Sequence, residues 1–335
     1  MTSRERIKTI FSGKPADRCG FWLGHPHRDT WAMYLKHFGL ADGEQLRQFL
    51  HDDIRTASAE SAYKHPEGIG MFSATRKDEN GRDVPVFAGC ETVAEVEAFD
   101  WPNPDYLDFT DLVQTLRGMG DHYRASGMWG PYFHTVGWMM GQEEYFIKMH
   151  THPEVVEAVT RHVCDFLYEA NDRFFKAAGD EVDAFFFGND YGTQLDLFIS
   201  PEMFDKFILP DTQRLVDLAH KHNRQVWMHC CGAVSKLIDR FIDAGINSLH
   251  PLQALARGMD AESLATRFKG RIAFVGGIDT QQLLIHGTPD EIRAEVRRVR
   301  DLLGPCYVVS PSHEAILPNV PPENVLAMAE EARGE

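Results

Sequence analysis

Short apolar segments alternate with amphipathic helical segments along the last two thirds of this chain, and this alternation constrains the fold most strongly. The pattern begins near Tyr123, and five strand–helix units follow one another from Asp183 onward. The segments predicted as strands are 128–132, 183–187, 225–228, 247–250, 271–275 and 306–309. Strands that are buried on both faces and joined through helices lie parallel, with right-handed crossovers. The chain is therefore predicted to fold as an α/β protein.

Two α/β architectures are compatible with this alternation, a closed barrel and an open doubly wound sheet. The first strand–helix turns lack the G-x-G-x-x-G pattern that marks dinucleotide-binding open sheets. A length of 335 residues suits a barrel with an extension. We therefore predict a single (β/α)8 TIM-type barrel domain over residues 1–335. In it, residues 1–120 form a less regular N-terminal extension and residues 121–335 carry clear βα units.

The charge of the chain limits the classes of partner. The formal net charge is −16, whereas nucleic acids and anionic membranes bind proteins with dense cationic surfaces. No apolar stretch approaches the length of a membrane span, and residues 1–14 are polar and basic without the apolar core of a signal peptide. We expect a cytoplasmic protein that acts on a small molecule and contacts neither nucleic acid nor membrane.

Polar residues follow each of the last five predicted strands directly. They are Asn189-Asp190, His229 to Gly232, His250, Gly276 to Asp279, and Ser312 to Glu314. In a barrel the carboxyl ends of all strands open onto one mouth, where active sites lie. The sequence therefore predicts one active site built from these segments.

His229 and Cys231 are the candidate metal ligands. Positions i and i+2 of a strand point to the same side, so both side chains are expected to face the mouth. Histidine and cysteine are common zinc ligands, although a buried histidine and thiol also occur without metal. Asp190 and His250 are the candidate catalytic residues. For Asp190 the alternative is a turn cap, and for His250 a side chain that only fills the mouth.

Four further residues are candidates for cofactor binding. Gly276 and Gly277 allow the backbone to approach a ligand closely. Asp279 follows them, and the alternative for this residue is the N-cap of the next helix. His134 belongs to an aromatic cluster that either walls a pocket for a flat ligand or belongs to the core.

Several of these motifs resemble the uroporphyrinogen decarboxylase superfamily, from about Gly130 to the C-terminus. They are His229-Cys230-Cys231-Gly232, Gly276-Gly277-Ile278-Asp279-Thr280, Pro311-Ser312-His313 and Val320-Pro321-Pro322-Glu323-Asn324. The superfamily is built on an α/β barrel, which agrees with the fold predicted above. One branch contains decarboxylases that work without a cofactor and hold the substrate carboxylates with an arginine-rich N-terminal loop. Here the matching stretch, Phe21–Tyr34, contains a single arginine, Arg28.

The other branch contains zinc-dependent methyltransferases, including the methylcobalamin:coenzyme M enzymes. They bind zinc through His-x-Cys and a later cysteine, and this chain has Ser312-His313 at the later position. The resemblance implies zinc on His229, Cys231 and His313, and a corrinoid cofactor such as methylcobalamin, either free or on a corrinoid protein partner. A metal-free decarboxylase and a non-catalytic module that binds a corrinoid or tetrapyrrole remain the alternatives.

Overall fold

The computed structural model describes residues 1–334. Its strands, in chain order, are β1 (Gly20–Phe21), β2 (Ile54–Ser58), β3 (Thr75–Lys77), β4 (Asp83–Pro85), β5 (Tyr123–Gly127), β6 (Ala184–Gly188), β7 (Gln225–His229), β8 (Ser248–His250), β9 (Ala273–Ile278) and β10 (Tyr307–Pro311). The α-helices are α1 (Ser3–Phe11), α2 (Arg28–Phe38), α3 (Gly43–Phe49), α4 (Val93–Glu97), α5 (Thr110–Gly118), α6 (Tyr132–Met140), α7 (Gln142–Thr151), α8 (Pro153–Ala178), α9 (Pro201–Phe207), α10 (Leu209–Lys221), α11 (Ile238–Asp243), α12 (Ala261–Phe268), α13 (Leu283–His286), α14 (Pro289–Leu303) and α15 (Pro322–Arg333).

Eight parallel strands form a nearly closed barrel, in the order β1-β10-β9-β8-β7-β6-β5-β2. The last gap, between β1 and β2, is bridged by Asp53. Its backbone N–H donates to the carbonyl oxygen of Phe21 at 2.9 Å, and its carboxylate accepts the N–H of Phe21 at 2.9 Å. The strands β3 and β4 form a separate antiparallel hairpin. The predicted (β/α)8 architecture is confirmed.

Alternate residues of the strands fill the barrel with a core in which large aromatic rings pack against alanine and β-branched side chains. Phe186 stacks on Trp227 with ring centroids 4.2 Å apart, and Trp22 meets Trp227 edge-on at 4.7 Å. Helix α1 closes the amino-terminal end, where Phe11 contacts the ring of Trp227 at 5.9 Å and Ile7 and Ile10 are fully buried. Because this end is sealed by apolar packing, only the carboxyl ends of the strands open toward solvent.

Two predicted elements differ from the structure. The predicted strand 128–132 is a loop that leads into α6, and the actual strand is the preceding β5. The amide of Met128 donates to the side chain of Asn171 and Pro131 has no N–H, so this segment cannot extend the strand ladder. The amphipathic segment 201–222, which the sequence predicts as one helix with Pro201 at its start, is divided at Ile208 into α9 and α10, with Pro210 in the first turn of α10.

Each helix within residues 1–334 is too short or too polar to cross a lipid bilayer.

Candidate active site

His229 and Cys231 lie together at the end of β7, as the strand period predicts. The Sγ atom of Cys231 is 3.3 Å from Nε2 of His229. On the neighbouring strand β6, Gly188 is the register partner of His229. A Cβ atom at position 188 would lie 2.6 Å from Cβ of His229. The absence of a side chain on Gly188 therefore makes room for the imidazole.

Asp190 joins this pair from the loop after β6. Its Oδ1 lies 3.4 Å from Nε2 of His229 and accepts the backbone N–H of Cys231 at 2.8 Å. Burial alone raises the pKa of Asp190, but the hydrogen bond and charge of His229 outweigh burial and hold that pKa well below its usual range. The carboxylate is therefore ionised beside the imidazole and thiol.

His134, expected to bind a cofactor, contacts the Asp190 loop. Its Nε2 accepts the backbone N–H of Asp190 at 3.1 Å, and its ring stacks against Trp138. Burial lowers the pKa of His134, which keeps the imidazole neutral and able to accept this bond. The aromatic cluster predicted around this residue thus lies next to the site.

His250 lies on the other side of His229. The two residues are register partners in β7 and β8, and their Nδ1 atoms are 3.2 Å apart. His250 is fully buried, and burial followed by the proximity of His229 lowers its pKa well below the usual value. Oε2 of Glu314 is 3.8 Å from Nδ1 of His229.

Two overlapping sets of ligand atoms result, and each set lies within 4.8 Å. One combines Asp190, His229 and Cys231, and the other combines His229, His250 and Glu314. The first set offers one oxygen, one nitrogen and one sulfur donor on a side that remains partly exposed. Catalytic zinc sites use three such ligands and leave the fourth position for substrate, so the residues fit zinc.

The surroundings of Cys231 raise the pKa of its thiol, and a bound cation would lower that pKa. Burial first, and then the carboxylates of Asp190 and Glu314, raise its pKa well above the usual value. A bound divalent cation deprotonates a ligating thiol outright. The surplus of negative charge around this sulfur is therefore what a cation site requires.

His313, expected as the third metal ligand, belongs to neither set. Its Nδ1 accepts the N–H of Ala315 at 3.1 Å, and its side chain is 38% exposed. The chain turns after β10, so that Glu314 and not His313 faces His229. The sequence alone does not determine which of these two side chains faces His229, because the turn after β10 follows no fixed period. Cys306 lies in the apolar barrel core.

Of the other expected cofactor residues, Gly276 and Asp279 make local structural contacts, and Gly277 has a φ of 92°. A Cβ atom on Gly276 would lie 2.6 Å from the backbone nitrogen of Leu252, and the φ of Gly276 is 127°. The carboxylate of Asp279 accepts the backbone N–H groups of residues 281, 282 and 283. The alternative reading of Asp279 as a cap at the start of a helical segment matches these contacts.

A cavity of about 290 Å³ opens beside His229. Its lining residues are His25, Thr56, Ala57, Ser58, Glu60, Gly127, Trp129, Phe186, His229 and Glu314. Carboxylates and aromatic rings are both present, whereas the lining contains neither arginine nor lysine. The cavity therefore suits a small molecule without several negative charges.

Sequence reasoning missed one wall of this cavity, formed by His25, Thr56, Ser58 and Glu60. Nε2 of His25 lies 3.2 Å from Oγ1 of Thr56. Burial, with a contribution from the charge of Arg47, lowers the pKa of His25 to about 4. The sequence feature that could have revealed this wall is the run Gly24-His25-Pro26-His27, which follows β1 as the other site residues follow their strands.

A family model described as uroporphyrinogen decarboxylase (URO-D) matches residues 66–334. The chain belongs to the uroporphyrinogen decarboxylase family. Two curated uroporphyrinogen decarboxylases, from Geobacter sulfurreducens and Geobacter metallireducens, are each 26% identical to this family member over 262 residues, which cover 73% of this chain and 72% of theirs.

A solved structure of a methyltransferase from Methanosarcina mazei has the same fold as this family member. The two superpose with a TM-score of 0.72 over 100% of this chain and 99% of that chain, at 17% sequence identity. Residues 25–60, which supply one wall of the cavity, precede the region that the family model matches. The family match therefore covers the metal-ligand candidates but not that wall.

Proposed function

We propose that this protein is a zinc-dependent methyltransferase that moves a methyl group between a corrinoid and a thiol. The observation that carries this proposal is the arrangement of His229, Cys231 and Asp190 at the barrel mouth. Nε2 of His229 lies 3.3 Å from the sulfur of Cys231 and 3.4 Å from Oδ1 of Asp190. These are three different zinc donors on one open side of a barrel.

In this proposal the third ligand is Asp190 and not His313, because only Asp190 lies with the pair. When bound there, zinc supplies the positive charge that lowers the pKa of a substrate thiol and stabilises its thiolate. The anionic Asp190 and Cys231 balance the charge of the metal. His250 orients the ring of His229, and His134 positions the Asp190 loop. Trp129 and Phe186 exclude water from the cavity.

A decarboxylase of a tetrapyrrole is the second candidate, supported by the names of the curated relatives. The lining of the cavity argues against it. Each substrate carboxylate that is buried without a charged partner costs several kcal/mol, and the cavity lining offers no arginine or lysine. The stretch Phe21–Tyr34 supplies only Arg28, whose side chain is 89% exposed and adjacent to Asp29.

The corrinoid is proposed to approach from outside, carried by a partner protein. The cavity of about 290 Å³ suits a small molecule and not a macrocycle. Large apolar side chains are exposed on the segments that follow the strands. They are Ile69, Trp138, Leu195, Phe198, Leu255 and Leu317. Exposed apolar side chains near the barrel mouth are candidate contacts for such a partner. The third candidate, a corrinoid-binding module without catalytic activity, would use the same exposed surface.

Metal analysis and a methyl-transfer assay test the proposal together. Purified protein is expected to contain about one zinc per chain and to demethylate methylcobalamin in the presence of a thiol. Cys231→Ser is expected to lose both zinc and activity. Cys306→Ala, at the barrel core, is the matched control and is expected to keep both. Active protein without zinc would contradict the zinc mechanism, and zinc-loaded protein without methyl transfer would favour the binding module.

A further inference from the structure

The charges of the groups that line the cavity beside His229 indicate which substrates it can accept. We infer that the thiol accepted at this site bears an amine, and that a thiol bearing an anionic group is rejected. This inference rests on the proposed function, because it assumes that the substrate sulfur binds beside His229 and Cys231. It goes further by naming the charge of the rest of the substrate.

The fixed charges around the cavity are negative. Glu60, which is exposed, and Glu314, whose side chain is 24% exposed, both line it directly. Asp190 adds a third carboxylate next to His229. Because a zinc ion with Asp190 and Cys231 as ligands is already neutralised, the two glutamates keep the cavity negative after metal binding. A second anionic group on the substrate would meet uncompensated repulsion at short range.

His25, on the same wall as Glu60, does not offset this negative charge. His25 lines the cavity, but its burial holds its pKa at about 4, so it is neutral at physiological pH. The hydroxyls of Thr56 and Ser58 complete this wall. Ser58 donates its hydroxyl hydrogen to Oε2 of Glu60 at 3.2 Å, which orients that carboxylate. The wall therefore offers hydrogen-bond acceptors to an ammonium group.

Arg47, whose charge acts on His25, is engaged in other contacts. The guanidinium of Arg47 forms an ion pair with the buried carboxylate of Asp52, and its Nη2 donates to the carbonyl oxygen of Gly24 at 2.8 Å. Its charge also lies over the ring of Trp31, 5.3 Å from the centroid. Because these contacts satisfy Arg47, it is not available to hold a sulfonate or carboxylate in the cavity.

The aromatic part of the lining also favours a cation. Trp129 and Phe186 meet edge-on with centroids 5.0 Å apart, and both line the cavity. Trp129 lies beside His229, with ring centroids 5.2 Å apart. A cation near the face of a tryptophan is attracted by the ring quadrupole, most strongly where water is excluded. Carboxylates and an indole near the same small space together select a cationic group.

Three thiols of the same chain length test the inference without relying on turnover. The protein is loaded with Co²⁺ in place of zinc, and the thiolate-to-cobalt absorption band is titrated with cysteamine, 2-mercaptoethanol and 2-mercaptoethanesulfonate. After correction for the pKa of each thiol, we expect cysteamine to bind at least ten times more tightly than the sulfonate, with the neutral thiol between them. A sulfonate that binds as tightly as cysteamine would overturn the inference.

A pair of glutamate variants tests whether the cavity causes the selectivity. Glu60→Gln removes one carboxylate from the cavity lining, and we expect the ratio of cysteamine to 2-mercaptoethanol affinity to fall about threefold or more. Glu67→Gln, a similar change at an exposed position outside the cavity lining, is the matched control and should leave the ratio unchanged. An unchanged ratio in Glu60→Gln would contradict the assigned role of Glu60.

The two proposals fail in distinguishable ways. Protein that takes up no cobalt or zinc would overturn the proposed function, and this inference with it. Protein that takes up cobalt and binds the thiols in the opposite order of charge would overturn the inference alone.

Discussion

Nδ1 of His229 lies 3.2 Å from Nδ1 of His250, and the two residues face each other across neighbouring parallel strands. One of the two nitrogens must carry the proton. If His229 donates, its Nε2 keeps a lone pair on the side of Cys231 and Asp190, where a metal ligand needs it. Nε2 of His250 has no hydrogen-bond partner among residues 1–334 and lies among tryptophan rings. The contact with His250 therefore provides an acceptor for a proton on Nδ1 of His229, the tautomer that suits metal binding through Nε2.

This relationship predicts the effect of changing His250. His250→Leu removes the acceptor for the Nδ1 proton of His229, and zinc affinity should fall by about 10- to 100-fold. His250→Gln keeps an acceptor oxygen and should lose less affinity. Zinc competition with a chromophoric chelator measures both dissociation constants, and circular dichroism checks the fold. Unaltered zinc affinity in His250→Leu would contradict the role of the pair.

The identity of the third ligand is tested by two substitutions. Asp190→Asn keeps an oxygen that accepts the N–H of Cys231 but removes the negative charge, and zinc affinity should fall by more than about tenfold. His313→Ala should bind zinc as the unmodified protein does, because His313 lies in neither ligand set. Loss of zinc in His313→Ala with retention in Asp190→Asn would instead support the ligand set expected from the sequence.

The assignment of Gly276 as a packing residue is tested by stability. Gly276→Ala places a Cβ atom 2.6 Å from the backbone nitrogen of Leu252 at a φ of 127°. We expect the free energy of unfolding to fall by about 2–4 kcal/mol, as measured by urea denaturation. Gly118→Ala, where no atom lies within 4 Å, is the control and should not destabilise the protein. Equal stability of both variants would reopen a ligand-binding role for Gly276.

The lining of the cavity also predicts a negative result with the substrate named by the curated relatives. We expect negligible conversion of uroporphyrinogen, because the cavity lining contains no arginine or lysine to accompany the substrate carboxylates. Chromatography of an anaerobic incubation detects the product. Steady formation of coproporphyrinogen would require the decarboxylase assignment in place of the methyltransferase.

The regular part of the fold was accessible from the sequence because its strands are apolar and each is followed by polar residues. Helices α12 and α14 each follow a capping residue, Asp260 and Thr288, which marks the start of a helix in the sequence itself. The strand β5 was misplaced, because its sequence Tyr-Arg-Ala-Ser-Gly is less apolar than the loop that follows. Neighbouring strands and not local hydrophobicity determined which segment entered the barrel.

For the site, the sequence by itself predicted that His229 and Cys231 face the same side, because residues i and i+2 of an extended segment do so, and the two side chains lie together although β7 ends at His229. It also placed Asp190 and His250 at the same end of the barrel. Only the tertiary structure decided that Asp190 and Glu314, and not His313, approach His229, because turns after strand ends follow no fixed period. It alone brought His25 and Glu60 against the same cavity, since contacts between distant segments depend on how the barrel closes through Asp53.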